Sequence, residues 1–198
     1  MTHKKSLFAV LAAMAALSFS QSAFAHPGHG VHDLAGGFAH PLSGIDHLLA
    51  MVAVGVWAAQ LGGRALWMVP CAFVALMAGG GALGMNGLHL PLVESGIAVS
   101  VLVMGLMVAT ALKAPLTASL PLVGLFALFH GLAHGAELPV ETSGLGYGAG
   151  FIAATVALLG TGLVLGTVTK RLAASQTLFR TAGAAVAFCG LLLLVGVL

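Results

Sequence analysis

The sequence predicts an all-α integral membrane protein, a six-helix transmembrane bundle that follows a cleavable signal peptide. Of its 198 residues, 60% are hydrophobic and only 6% are charged, and the mean hydropathy is +1.10. A soluble domain of this length cannot present such a composition on its surface. The apolar runs are long and are separated by short polar joints, whereas the strands of a membrane barrel would alternate polar and apolar residues. No basic patch suited to nucleic acid occurs.

Residues 1–25 have the pattern of a secretory signal peptide. Two lysines precede an apolar core from Leu7 to Leu17, and Ala23-Phe24-Ala25 forms an A-x-A cleavage site. A retained anchor helix is the alternative, but the apolar core is short for a membrane span. We therefore expect cleavage after residue 25.

Cleavage would leave residues 26–40 as a histidine-rich amino-terminal segment on the periplasmic side. His26, His29 and His32 lie there among proline and glycine residues. Such a segment is a weaker candidate for loose metal capture. The alternative is a polar leader that is merely solvated.

Residues 41–198 form the predicted membrane domain. Its apolar segments each hold about 20 residues, which at 1.5 Å per residue crosses a hydrocarbon core of about 30 Å. The six segments are residues 41–61, 65–85, 92–112, 116–136, 144–168 and 178–198.

The charges in the joints predict the orientation of the bundle. If the amino terminus is periplasmic, every lysine and arginine of the mature chain falls on the inner side, as the positive-inside rule requires. These residues are Arg64, Lys113, Lys170, Arg171 and Arg180. Trp57 and Trp67 flank the first inner joint and suggest an interfacial aromatic belt. Tyr147 is interpreted as an interfacial anchor, with a hydrogen-bond donor to a metal ligand as the alternative.

The stretch Phe129–Glu137 carries the first candidate site. On a helix, His130, His134 and Glu137 stand at i, i+4 and i+7, within about 40° of one another around the axis. A charged group within a bilayer costs on the order of 2.5 to 3.5 kcal/mol, so three such side chains on one face need a partner. A divalent cation suits two imidazoles and a carboxylate.

A second polar cluster opens the first span. Pro41 suits the first helical position, which would put His40 at the helix cap. His47 would then lie about 10 Å deeper, so a straight helix cannot bring both imidazoles to one ion. Either the Ser43-Gly44 pair opens the helix and brings His40 closer, or His40 serves an outer site.

Topology brings the two clusters to the same half of the membrane. The first span enters from outside with its cluster near its start, and the fourth span runs outward with its cluster near its end. Imidazole and carboxylate ligands suit Ni²⁺, Co²⁺ or Zn²⁺ better than Cu(I) or Mg²⁺. The candidates form one site or two successive ones. The alternative for each histidine taken alone is a structural role, in which the imidazole is satisfied by a hydrogen bond. They are His40, Asp46, His47, His130, His134 and Glu137, with Glu94 as a weaker candidate.

The two clusters resemble the signatures of the HupE/UreJ family of nickel and cobalt permeases. The pattern H-P-x-x-G-x-D-H corresponds to His40–His47, and F-H-G-x-A-H-G-x-E corresponds to Phe129–Glu137. The resemblance implies a multi-pass secondary permease of the bacterial inner membrane that is not an enzyme and has no prosthetic group. It implies that the six main candidates handle transported Ni²⁺ or Co²⁺.

Two other classes of function stay open at this point. A metal-dependent intramembrane hydrolase is disfavoured because Gly131 stands where H-E-x-x-H carries its general base, and Ser43 has no evident activating dyad. A metal sensor or structural subunit without transport is the other alternative. No phosphate-binding loop precedes Lys113 or Lys170, so this chain by itself is not expected to be an ATP-driven pump. The expected partners are a divalent metal ion and membrane lipid.

Overall fold

The computed structural model describes residues 34–137 and 144–198, and these residues contain seven helices. The signal peptide predicted over residues 1–25 and the segment with His26, His29 and His32 lie outside the described residues. The helices are α1 (Leu34–Ser43), α2 (Ile45–Leu61), α3 (Ala65–Met85), α4 (Val93–Thr110), α5 (Leu116–Glu137), α6 (Gly144–Thr169) and α7 (Ser175–Leu194).

The predicted all-helical membrane architecture is confirmed for the described residues. Helices α3 to α7 are each long and apolar enough to cross a bilayer. Helices α1 and α2 meet that test only as a pair, and an 82° bend separates them. Five continuous candidate spans are therefore present, and the count of six stays a prediction that depends on this broken pair.

The start of the first predicted span is wrong. Helix α1 begins at Leu34, so Pro41 lies inside a helix rather than at its first position. The chain then leaves the helical conformation at Gly44, which has φ −84° and ψ 118°. Proline near the end of α1 removes a single backbone hydrogen bond, a loss that the last turn of a helix tolerates better than its middle. The break at Gly44 is the opening that the sequence left as one alternative.

Glycines bring α5 into close contact with α3. A Cβ added at Gly131 would lie 2.1 Å from the carbonyl oxygen of Met77, and one at Gly84 would lie 2.6 Å from that of Leu132. Only glycine permits such close backbone contacts, which are typical of helix pairs in membranes. The helix that carries His130 and His134 is therefore locked against α3.

Helix α6 supports both halves of the broken pair in the same way. A Cβ at Gly162 would lie 2.2 Å from the carbonyl oxygen of Val52 on α2, and one at Gly37 on α1 would lie 2.0 Å from that of Tyr147. Because α1 and α2 both press against α6, the angle between them is fixed by packing.

The indole of Trp57 is buried and does not belong to an interfacial belt. Trp57 is 0% exposed, and its Nε1–H donates to the carbonyl oxygen of Leu112 at 3.1 Å. The belt prediction is wrong for this residue because the carbonyl oxygen of Leu112, in the joint that follows α4, accepts the hydrogen bond of the buried indole. Trp67 is 59% exposed, as an interfacial position requires. Large exposed side chains such as Leu125 and Phe188 leave an apolar outer surface suited to lipid.

Candidate metal site

Four imidazoles converge at one end of the bundle. They come from α1 (His40), α2 (His47) and α5 (His130 and His134). The ring centroids lie 4.4 Å apart for His47 and His134, 4.5 Å apart for His40 and His134, and 4.9 Å apart for His47 and His130. Three of the rings are buried, and His40 is half-buried. Two distant motifs of the sequence therefore form a single cluster.

The break at Gly44 brings His40 to the other histidines. With the 82° bend, the ring centroids of His40 and His47 lie 6.1 Å apart. A Cβ at Gly44 would lie 2.8 Å from Oδ1 of Asp46 and 3.1 Å from Nδ1 of His47. The backbone conformation at Gly44 suits any residue. Glycine is therefore required here because a larger side chain has no space.

Asp46 orients the imidazole of His47. Its Oδ1 accepts a hydrogen bond from Nδ1–H of His47 at 2.6 Å and a second one from the backbone N–H of His47 at 2.8 Å. Holding the proton on Nδ1 leaves the lone pair of Nε2 available. Carboxylates orient metal-binding histidines in proteins in this manner. Oδ1 of Asp46 therefore fixes the orientation and the tautomer of the His47 imidazole.

Nε2 of His47 forms a hydrogen bond with Nε2 of His134. Because the proton of His47 is on Nδ1, the hydrogen bond assigns His134 as the donor. Imidazole nitrogens bind transition metals at about 2.0 to 2.1 Å, so an ion can bridge the two atoms only after the rings separate and that proton leaves. Accordingly, no three His, Cys, Asp or Glu side chains within residues 34–137 and 144–198 are already arranged as a metal-ligand set.

His130 presents a buried lone pair behind His47. Its Nδ1–H donates to the carbonyl oxygen of Phe126 at 2.8 Å, so Nε2 is the basic nitrogen. The residue is 0% exposed, and Nε2 has no hydrogen-bond partner among the described residues. A buried acceptor without a partner costs free energy, and a cation would satisfy it.

A cavity of about 270 Å³ connects the cluster to the surface. Glu94, an exposed residue in the first turn of α4, contributes to its wall. A neighbouring cavity of about 300 Å³ shares Asp46 and Glu94. The first cavity is lined by His40, Ser43, Gly44, Asp46, His47, Glu94, Ile97, Ala133 and His134.

Glu137, the remaining predicted ligand, lies at the carboxyl end of α5. It is the last residue of α5, three residues after His134, and its side chain lies outside the described part of the structure. The backbone position is at the same end of α5 as the histidines.

Two aromatic residues of α6 lie at the cluster, and Phe151 was not predicted from the sequence. Phe151 lies with its ring centroid 4.7 Å from that of His134 and 6.1 Å from that of His40. Tyr147 is buried at 9% exposure, 6.1 Å from the ring of His40, so its assignment as an interfacial anchor is wrong. Both lie on one face of α6, but periodicity alone could not show that this face meets the histidines.

Ser43 lines the cavity, and its hydroxyl forms a hydrogen bond within α1. Its Oγ–H donates to the carbonyl oxygen of His40 at 2.8 Å, a local bond that caps the end of α1. The serine is therefore part of the helix break.

Comparison with known proteins gives two matches. The sequence profile described as HupE / UreJ protein matches residues 13–193. Protein HupE of Rhizobium leguminosarum bv. viciae is 51% identical over 185 residues, which are 92% of this chain and 95% of that protein. No solved structure matches the chain.

Proposed function

Since the chain belongs to the HupE/UreJ family, we propose that it is a secondary permease that imports a divalent transition metal ion across the bacterial inner membrane. Nickel is the proposed cargo, bound within the membrane by histidine and carboxylate side chains. The mature amino terminus is periplasmic in this proposal, so the cavity beside the histidines opens to the periplasm.

The contact between His47 and His134 carries the proposal. The two nitrogens belong to different helices, are buried from solvent and face each other. Imidazoles in an apolar bundle need partners, and polar residues within membrane spans commonly mark the path of an ion. His130 adds a third basic nitrogen behind this pair.

The donor set supports Ni²⁺, Co²⁺ or Zn²⁺ as the cargo. Neutral imidazoles bind Ni²⁺, Co²⁺ and Zn²⁺ well, whereas Mg²⁺ prefers oxygen ligands alone and Cu(I) prefers sulfur. The HupE/UreJ family, to which the chain belongs, is associated with nickel and cobalt transport, which favours these two ions over zinc. Of the two, Ni²⁺ is generally bound more tightly, so nickel is the proposed cargo.

Transport would begin when the ion enters the cavity past Glu94. Binding requires neutral imidazoles with a free nitrogen, so the proton between His134 and His47 must be released. The ion then exchanges its water for the imidazoles, and Glu137 is expected to contribute a carboxylate. Rearrangement of the bundle releases the ion on the inner side.

Accumulation of radioactive Ni²⁺, and of Co²⁺ in parallel, tests the proposal in cells with and without the protein. His47→Ala and His134→Ala should each lower accumulation by at least about ten-fold, since loss of a residue that only orients a metal ligand already costs about 10- to 100-fold. His89→Ala is the matched control, because His89 is exposed in the joint between α3 and α4. Accumulation that is unchanged in both cluster variants would refute the proposal.

A further inference from the structure

Two lysines hold the end of α2 that is farthest from the histidines. Nζ of Lys170 donates to the carbonyl oxygen of Ala59 at 3.0 Å, and Nζ of Lys113 donates to that of Gln60. Carbonyls in the last turn of a helix lack partners within the helix. From His47 to Gln60, α2 extends about 20 Å at 1.5 Å per residue. The lysines therefore act at the opposite side of the membrane from the cluster.

Two further hydrogen bonds tie the same end of α2 to the last turn of α4 and to the joint that follows it. Nε2 of Gln60 donates to the carbonyl oxygen of Val108 at 3.0 Å, and Nε1 of Trp57 donates to that of Leu112 at 3.1 Å. Lys113 lies between α4 and α5, and Lys170 directly follows α6. Side-chain hydrogen bonds thus attach α4 and the segments that follow α4 and α6 to the end of α2. We call this set of contacts, made by Trp57, Gln60, Lys113 and Lys170, the seam.

The seam contains an acceptor that the closed arrangement leaves without a partner. Gln60 is 3% exposed, and its Oε1 has no hydrogen-bond partner within the part of the chain that the structure describes. Leaving a buried oxygen unpaired costs free energy. If the seam opens, water can donate a hydrogen bond to this oxygen and that cost is recovered. The free-energy difference between the closed seam and an open one is therefore smaller than it would be if every polar atom of the closed seam had a partner.

The charges at the seam suit control of a cation. Lysines near the carboxyl end of a helix interact favourably with its dipole, which stabilises the closed arrangement. The same two ammonium groups repel a divalent cation that approaches from the inner side. The ion can then be released to the inner side only when the two lysines leave their carbonyl partners on α2.

We propose that Lys113, Lys170 and Gln60 form the inner gate of the permease. The lysines close the gate while the histidine cluster is open to the periplasm, and they release α2 when the ion passes inward. They act as positioning residues, since they hold helices and do not bind the ion. This inference rests on the proposed function, which supplies the direction of transport.

Cysteine labelling tests the gate without any metal. The background carries Cys71→Ala and Cys189→Ala. Val108→Cys, at a position 4% exposed in the seam, is the probe, and Val54→Cys, at a position 0% exposed on α2 and away from the seam, is the control. An anionic, membrane-impermeant methanethiosulfonate is added to inside-out vesicles.

Both lysines are then replaced together, by methionine in one double variant and by arginine in another. Lys113→Met with Lys170→Met should raise the labelling rate at Val108→Cys by at least about ten-fold. Loss of the two hydrogen bonds that the lysines donate to α2 should shift the equilibrium between the closed and the open seam by about that factor. The rate at Val54→Cys should not change, and the two arginine substitutions should restore protection at Val108→Cys. The reagent is attracted to lysine, so removal of the charges by itself would slow labelling.

Three outcomes would overturn the gate. They are an unchanged rate at Val108→Cys in the methionine pair, an equal increase at both probes, and faster labelling in right-side-out vesicles only. The first means that the lysines merely cap α2, the second that the bundle has loosened, and the third that the seam faces outward. Because labelling needs no transport, failure of metal accumulation with intact labelling would reject the proposed function and leave the seam in place.

Discussion

The imidazoles of His47 and His134 meet through their Nε2 atoms although 87 residues separate them in the chain. They belong to helices with different supports, since α2 is locked against α6 through Gly162 and α5 is locked against α3 through Gly131. The cluster therefore lies where two tightly packed helix pairs meet. A shift of one pair against the other would change the distance between the two nitrogens, which is what binding and release of an ion require.

Asp46→Asn should weaken metal binding while the fold is preserved. Asparagine keeps an oxygen near His47 but loses the negative charge that strengthens the hydrogen bond to Nδ1–H. We expect the metal concentration for half-maximal uptake to rise by about 10- to 100-fold, as for other carboxylates that orient metal-binding histidines. Ser95→Ala, at an exposed position in the cavity that adjoins Asp46, is the control. If Asp46→Asn and the parent protein reach half-maximal uptake at the same metal concentration, the carboxylate does not act through His47.

Gly44→Ala should disrupt the cluster through steric conflict. The added Cβ would lie 2.8 Å from Oδ1 of Asp46 and 3.1 Å from Nδ1 of His47, so the hydrogen-bonded pair must move. We expect uptake to fall by at least about ten-fold, since small displacements of ligands are costly at metal sites. Gly148→Ala is the control, because nothing lies within 4 Å of its added Cβ. Normal uptake by Gly44→Ala would mean that the site does not need this geometry.

Helical periodicity was sufficient to predict which histidines share a face. His130 and His134 are four residues apart, and their common face follows from 3.6 residues per turn. The surroundings of the cluster were not predictable in this way. In an apolar membrane helix nearly every position is hydrophobic, so the pattern does not distinguish a face in the core from a face in lipid. For that reason Phe151 was missed, and Tyr147 and Trp57 were assigned to the interface.

Gly162→Ala should destabilise the contact between α2 and α6. Its Cβ would lie 2.2 Å from the carbonyl oxygen of Val52, and backbone atoms cannot rotate away as a side chain can. We expect a loss of about 1 to 3 kcal/mol in the free energy of unfolding, typical of overpacking. Unfolding in detergent measures this loss. Gly160→Ala on the same helix is the matched control, since nothing lies within 4 Å of its Cβ, and alanine there should be neutral or slightly stabilising. Equal stabilities of the two variants would contradict the packing argument.

His130→Asn should separate binding of the ion from its passage through the bundle. The amide NH₂ of asparagine can replace Nδ1–H of His130 as the donor to Phe126, whereas the basic Nε2 is lost. His130 lies fully buried behind the cavity that His40, His47 and His134 line, so an ion from the cavity meets it last.

We therefore expect His130→Asn to lower the maximal uptake rate by about ten-fold or more, with the half-saturating metal concentration within about three-fold of the parent value. His134→Ala, in contrast, should raise the half-saturating concentration because His134 lines the cavity. Uptake kinetics over a range of metal concentrations measure both quantities. If His130→Asn and His134→Ala raise half-saturation equally, the histidines bind one ion together and no successive step exists.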